Sequence, residues 1–158
     1  MNRRLPTAVL VAVAGAGVPA VLAVGADSAP SRVTTLRVAF KIDAAKLVDA
    51  APHGNSPGDV AVLSGTLRTP APGQVIGHYH GTCTTMQPVS DSECTFTWAL
   101  AGGQITTIAA YGDNFNGRRV VHDAIVGGTG RYRDARGQGI GKETGETTGL
   151  ETFQLTRP

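Results

Sequence analysis

From residue 33 to the C-terminus the chain never sustains a helical repeat. Short runs rich in Val, Ile, Thr and aromatic residues recur instead. Each is stopped by Gly, Pro, Asn or Asp, the pattern of strands joined by turns. The spacing predicts strands over 33–43, 58–68, 73–84, 93–100, 103–111, 118–126, 135–142 and 148–156. Ala101-Gly102-Gly103 and Asp113-Asn114-Phe115-Asn116-Gly117 read as tight turns, and 45–57, with Pro52, Gly54 and Pro57, as one long loop. Ala44 to Ala51 comes nearest to a helix, with one or two turns. Eight strands on short links predict an all-β antiparallel barrel or sandwich. A parallel α/β fold would need crossover helices, and the sequence offers none.

One strand fixes a face. Along Cys94-Thr95-Phe96-Thr97-Trp98-Ala99-Leu100 the even positions are Cys, Phe, Trp and Leu, and the odd ones are Thr, Thr and Ala. Side chains alternate across a strand, so the even set meets the core. If Cys83 and Cys94 bridge neighbouring strands, Val75, Tyr79 and Cys83 point inward as well, and His78 and His80 outward.

The N-terminus bears on those cysteines. Arg3 and Arg4 precede an uncharged apolar run, Ala8 to Val24, and Val24-Gly25-Ala26 supplies the small residues a signal peptidase reads. The order is that of a secretory signal peptide over 1–26, followed by a short linker, 27–32, and one domain, 33–158. A membrane anchor is the alternative, against which stand Pro19 and the absence of charges just after the run. A secreted protein with two cysteines is expected to pair them, and two free thiols are the other reading. Without Arg3 and Arg4 the chain carries 12 basic and 12 acidic residues. Nucleic-acid and anionic-membrane partners call for a basic excess, so neither is expected.

Two patterns invite sharper chemistry and have plainer readings. His78-Tyr79-His80 places two imidazoles on one strand face, and His122 would complete a three-His metal site. The outward face assigned to the pair favours surface histidines, and no metal or other cofactor is expected. At 135–142, Ala135, Gly137, Gly139 and Gly141 alternate with Arg136, Gln138, Ile140 and Lys142, so one strand face is almost bare. Gly in a strand marks a bend, a close backbone approach or room for a ligand.

The run from His122 to Gln138, HDAIVGGTGRYRDARGQ, closely resembles the (A/V)VxGG(T/S)GxFxxAxG stretch shared by plant dirigent proteins and allene oxide cyclases. Ser64-Gly65-Thr66-Leu67 resembles the cyclase SGDL segment, and Gly81-Thr82-Cys83 its GLC segment. The resemblance implies an eight-stranded antiparallel barrel around a hydrophobic cavity, with the homotrimer usual in the plant members. In the family cyclases a Glu in a Y-E-I-N run of the first strand steers the substrate epoxide. The matching run here is Phe40-Lys41-Ile42-Asp43, with Lys41 for the Glu and Asp43 for the Asn. A cation cannot take the carboxylate's electrostatic role, so allene oxide cyclase activity itself is not expected. Dirigent proteins carry an Asp in an H-D pair near this point, which Asp43 matches, and an arginine near the pocket, which Arg136 matches. Asp43, Arg136 and Lys41 are therefore the catalytic candidates.

Patterning and resemblance disagree over these residues. Leu36, Val38, Phe40 and Ile42 form the apolar face of the first strand, which turns Lys41 and Asp43 outward, whereas the family alignment turns them inward. The expected ligand pocket comprises Tyr79, Phe96 and Trp98. Arg136 at its polar end would need Asp43 or Asp123 as a partner, because an unpaired buried guanidinium is costly. Three functions follow from the resemblance and the composition. The first is a secreted barrel that binds a small hydrophobic molecule or reactive intermediate and steers its cyclisation or stereoselective coupling. The second is a binder of an apolar ligand without turnover, and the third is a filled-barrel structural protein.

Overall fold

The computed structural model describes residues 32–87, 90–112 and 120–157. The segments expected to be a leader and most of the linker, residues 1–31, and the turn expected at Asp113–Gly117 lie outside them. Among the described residues the chain forms eight strands: β1 (Arg32–Val48), β2 (Val60–Arg68), β3 (Val75–Thr85), β4 (Ser92–Leu100), β5 (Gly103–Tyr111), β6 (Val120–Gly128), β7 (Arg136–Gly145) and β8 (Thr148–Arg157). Each pairs antiparallel with its sequence neighbour, and β8 pairs with β1, closing the sheet into a barrel. All eight predicted strands are present. The barrel, not the sandwich, is the solution.

Two departures from the sequence reading share a cause, a bulge that resets the side-chain phase. The Ala44–Ala51 segment is not helical. Past a register shift between Ile42 and Ala44, β1 runs on to Val48 and pairs Ala44 with Ser64 and Val48 with Val60. Ladder bonds to β2 override the high helix propensity of Ala, Lys and Leu there. On β3, Leu67 pairs with Gly77 but Arg68 with Val75. The extra residue, Ile76, flips Val75 to the outside, where it is exposed, while Tyr79 and Cys83 keep the expected inward phase.

The loop between β1 and β2 is tied by Asp59, a buried carboxylate that accepts from the amides of Ala50 at 2.8 Å and Ser56 at 2.9 Å and from the Ser56 hydroxyl at 3.3 Å. Ala101-Gly102 makes the two-residue β4–β5 turn, with Gly102 at φ +90°. The glycine-rich run after β6 docks onto that turn. Arg131 donates its amide to the Gly102 carbonyl at 2.8 Å, and a Cβ on Gly130 would collide with that carbonyl. A 3₁₀ turn, Gly130–Tyr132, then buries Tyr132 in the core. The most recognisable stretch of the sequence thus closes one end of the barrel.

The inward face of each strand builds one core. Val38, Leu67, Ile105, Phe153 and Leu155 are fully buried in it, and Tyr79, Phe96, Trp98 and Ile125 nearly so. Leu36, Phe40 and Ile42 pack against this cluster. The apolar face of β1 is therefore the inner face.

Candidate functional site

The interior does not fill completely. A cavity of about 140 Å³ lies among Phe40, Ile42, Leu63, Tyr79, Phe96, Trp98, Tyr111, Val121 and Glu151, with Lys142 and Glu143 also on its wall. A void on the order of 150 Å³ between apolar side chains admits a benzene ring. Its aromatic wall is built by register. Tyr79 on β3 pairs directly with Trp98 on β4, and their rings stack with centroids 5.1 Å apart. Phe40 meets both edge-on at 5.8 and 6.2 Å, and Phe96 lies 5.8 Å from Trp98. Cys83 and Cys94 pair four residues further along the same two strands, past the Gly81–Phe96 pair, form the expected disulfide and line the cavity. Burial pushes the Tyr79 hydroxyl up to about 12, so it stays protonated at neutral pH.

The opposite side of the barrel interior is acidic, and Glu151 carries that character onto the cavity wall. Asp123 on β6 and Glu151 on β8 both point inward and are only 2% exposed. They flank the bare face of β7. A Cβ on Gly139 would meet Glu151 Oε1 at 2.6 Å and Asp123 Cβ at 3.3 Å, and one on Gly141 would meet Glu151 Oε2 at 2.8 Å. The strand glycines thus make room for two carboxyl groups in the core. Asp123 Oδ2 accepts from the Thr107 hydroxyl at 3.2 Å, and Thr107 accepts from Trp98 Nε1–H at 3.0 Å. This chain ties the acidic wall to the aromatic one. Asp123 Oδ1 and Glu151 Oε1 have no hydrogen-bond partner.

Burial, and then the neighbouring Asp123, raise the Glu151 carboxyl to about 8, against the pull of the Ile140 and Thr152 backbone amides. Burial also raises Asp123, partly offset by the Thr107 hydrogen bond and by His122. Tyr111, on β5 facing both acids, is pushed up by burial and by their charges. A carboxyl poised near neutrality can hold a proton or release it at little cost, as a general acid or base requires.

The catalytic candidates sit elsewhere. Lys41 and Asp43 project outward from β1 and pair with each other at 3.1 Å, with side chains 56% and 41% exposed. Asp43 also accepts from the Thr66 hydroxyl, and the two hydrogen bonds hold its carboxyl below the usual range. Arg136 is exposed on β7 and donates to the Ala135 carbonyl at 2.8 Å. It meets neither Asp43 nor Asp123 in a salt bridge among the described residues. The inner apolar face of β1 accounts for the first two placements and the inward glycines of β7 for the third. Tyr79, Phe96 and Trp98 do come together, on the cavity wall. His78 and His80 stack outside the barrel, and the likewise outward His122 lies on β6, with β4 and β5 between. Among the described residues no cluster of His, Cys, Asp and Glu is arranged to hold a metal ion.

Glu151 escaped the sequence reading, although a signal for it exists. It is in phase with Phe153 and Leu155, just as Asp123 is in phase with Ile125, so each acid occupies an inward position of its strand.

No family model and no curated protein matches the sequence. Solved structures do. A pyocyanin demethylase superposes with a TM-score of 0.66 at 22% identity, covering 78% of this chain and 100% of that one. A pterocarpan synthase dirigent protein matches with a TM-score of 0.59 at 19% identity, covering 79% and 94%. The Diels–Alderase AbmU from Streptomyces koyangensis matches with a TM-score of 0.62 at 16% identity, covering 83% and 72%. At these identities the shared property is the fold, the barrel that the 122–138 resemblance implies.

Proposed function

We propose that the protein is a secreted barrel that binds a small hydrophobic molecule in its cavity and steers its cyclisation or stereoselective coupling. The carrying observation is a cavity walled by stacked aromatic rings that ends on one buried carboxyl poised near neutrality. Rigid rings select the conformer in which reacting atoms are close, and Glu151 supplies or accepts the proton that such a rearrangement moves. Proteins of this fold that carry out such chemistry, a dirigent protein and a Diels–Alderase among them, support the reading. Export is proposed on the leader pattern of residues 1–26 and on the disulfide, which suits an oxidising compartment. No helix among the described residues is long and apolar enough to cross a membrane.

Titration with a panel of small apolar probes, followed by the fluorescence of Trp98, the single tryptophan, tests the binding half. Quenching or a spectral shift by at least one probe is expected, and an unresponsive Trp98 across the panel would overturn the proposal. Binding without turnover is the second reading. It is favoured by the outward placement of Lys41, Asp43 and Arg136, which leaves the resemblance's polar residues out of the cavity.

A further inference from the structure

Two carboxyl groups share the barrel interior, and no Lys, Arg or His is among its described buried residues. Asp59 shows what a satisfied buried carboxylate looks like in this protein, with three donors on its two oxygens. Glu151 and Asp123 are equally buried, yet each keeps one oxygen without a partner. Among the described groups around Glu151 none supplies a positive charge. β6 presents Asp123, β5 Tyr111, β3 Tyr79 and β7 Glu143, while β1 places the apolar Val38 opposite. Lys142 is on the cavity wall, but its side of β7 faces solvent. Among the described residues no cation therefore stands beside Glu151, which shares the cavity wall with the rings of Phe40, Tyr79, Phe96 and Trp98.

We infer that the cavity takes a planar aromatic molecule bearing a protonatable ring nitrogen, seated with that nitrogen against Glu151. The inference rests on the cavity being a binding site, as proposed above. Aromatic walls hold the ring plane and attract a delocalised cation through their π faces. A buried carboxylate and an N⁺–H donor form a charge-assisted hydrogen bond, which meets the unpartnered oxygen. The proton balance is closed in either case. A ligand already protonated in solution displaces the Glu151 proton to water. A neutral base takes that same proton onto its nitrogen, and the bound ion pair is identical. A neutral carbonyl ligand, accepting from protonated Glu151, would show the opposite pH dependence.

The test compares 4-aminopyridine, cationic at neutral pH, with aniline, a neutral molecule of nearly the same shape, by Trp98 quenching. The expected result is tighter binding of the pyridine by about tenfold or more, the scale of a hydrogen bond to a charged group. Its affinity should rise with pH between about 6 and 7.5, with proton release on binding visible by calorimetry in two buffers of different ionisation enthalpy. The margin should collapse in Glu151→Gln. Equal affinities, a margin surviving Glu151→Gln, or an affinity that falls as pH rises would each overturn the inference while leaving the cavity a binding site. If neither probe changes Trp98 emission, the binding reading fails and this inference fails with it. The pH series and the proton count need no variant, so a Glu151→Gln protein that does not fold leaves the test decisive.

Discussion

Across one cavity, the β3–β4 wall and the β6–β8 wall face each other with opposite chemistry. The first is made of rings and a disulfide: Tyr79 and Trp98 as a stacked cross-strand pair, Phe96 beside them, Cys83 joined to Cys94. The second is made of what is missing, glycines on β7, and of Asp123 and Glu151, which occupy the space the glycines leave. One wall stabilises the fold by burying apolar area. The other carries a desolvation cost, which is the expected signature of a site kept for chemistry.

Truncating the aromatic wall should have the largest effect. Trp98→Ala removes the ring that contacts Tyr79, Phe40, Phe96 and Phe153 and takes the indole donor from Thr107. A loss of about 3–5 kcal/mol is expected in urea unfolding. A loss under about 1 kcal/mol would show that this wall does not hold the barrel together. Next comes the disulfide. Replacing both Cys83 and Cys94 with Ala opens a cross-link over a sequence separation of 11, and chain entropy alone gives about 3 kcal/mol. An unchanged midpoint would mean that strand pairing already fixes this hairpin in the unfolded ensemble.

The acidic wall should answer to pH instead. Glu151 is raised from an ordinary 4.5 to about 8, so the folded protein keeps a proton that the unfolded chain has released. Stability is then fully present below about pH 4.5 and falls as pH rises toward 8. Asp123 acts in the same direction, while the lowered Asp43 and Asp59 complete their contributions below this window. Melting temperature should fall between pH 5 and 8 for the native protein, less steeply for Glu151→Gln, and not at all with Asp123→Asn added. A rise over that range would contradict the buried-acid description.

The smallest effects sharpen the contrast. A methyl group on Gly81 would overlap the Phe96 ring and crowd the Thr95 carbonyl, whereas on Gly139 it meets chiefly the movable tip of Glu151. Gly81→Ala should cost about 2 kcal/mol by overpacking. Gly139→Ala should cost less than about 1 kcal/mol, since the carboxylate can turn aside, yet it should disturb ligand binding more. Equal costs would mean that both walls are packed alike.

The two walls were also unequally legible. Alternation at 94–100 located the aromatic face, because Phe96 and Trp98 stand out against threonines, and the cysteines carried that orientation to Tyr79. Alternation locates a face by its apolar residues, and on β6 and β8 the inward positions include the acids Asp123 and Glu151. A search for apolar phase passes over them. The resemblance pointed to β1 and Arg136 instead, but the inward apolar face of β1 and the inward glycines of β7 put those polar groups on the outer surface. The eight strands were readable because turns and strand composition are local properties. The bulges at Ile76 and past Ile42 were not, since each arises from how two strands meet.

The order of strands around the barrel also bears on how the chain reaches its native state. Along the described strands each neighbour in space is a neighbour in sequence, except at the β1–β8 seam, where Arg32 pairs with Arg157. Hairpins such as β4–β5, closed by a two-residue turn, form on the microsecond scale and need little loop-closure entropy. The seam joins opposite ends of the domain and so carries the highest contact order in the structure. Until it zips, both terminal strands present open edges to other molecules. The rate-limiting event and the window of greatest aggregation hazard therefore fall on the same step, the meeting of first strand and last.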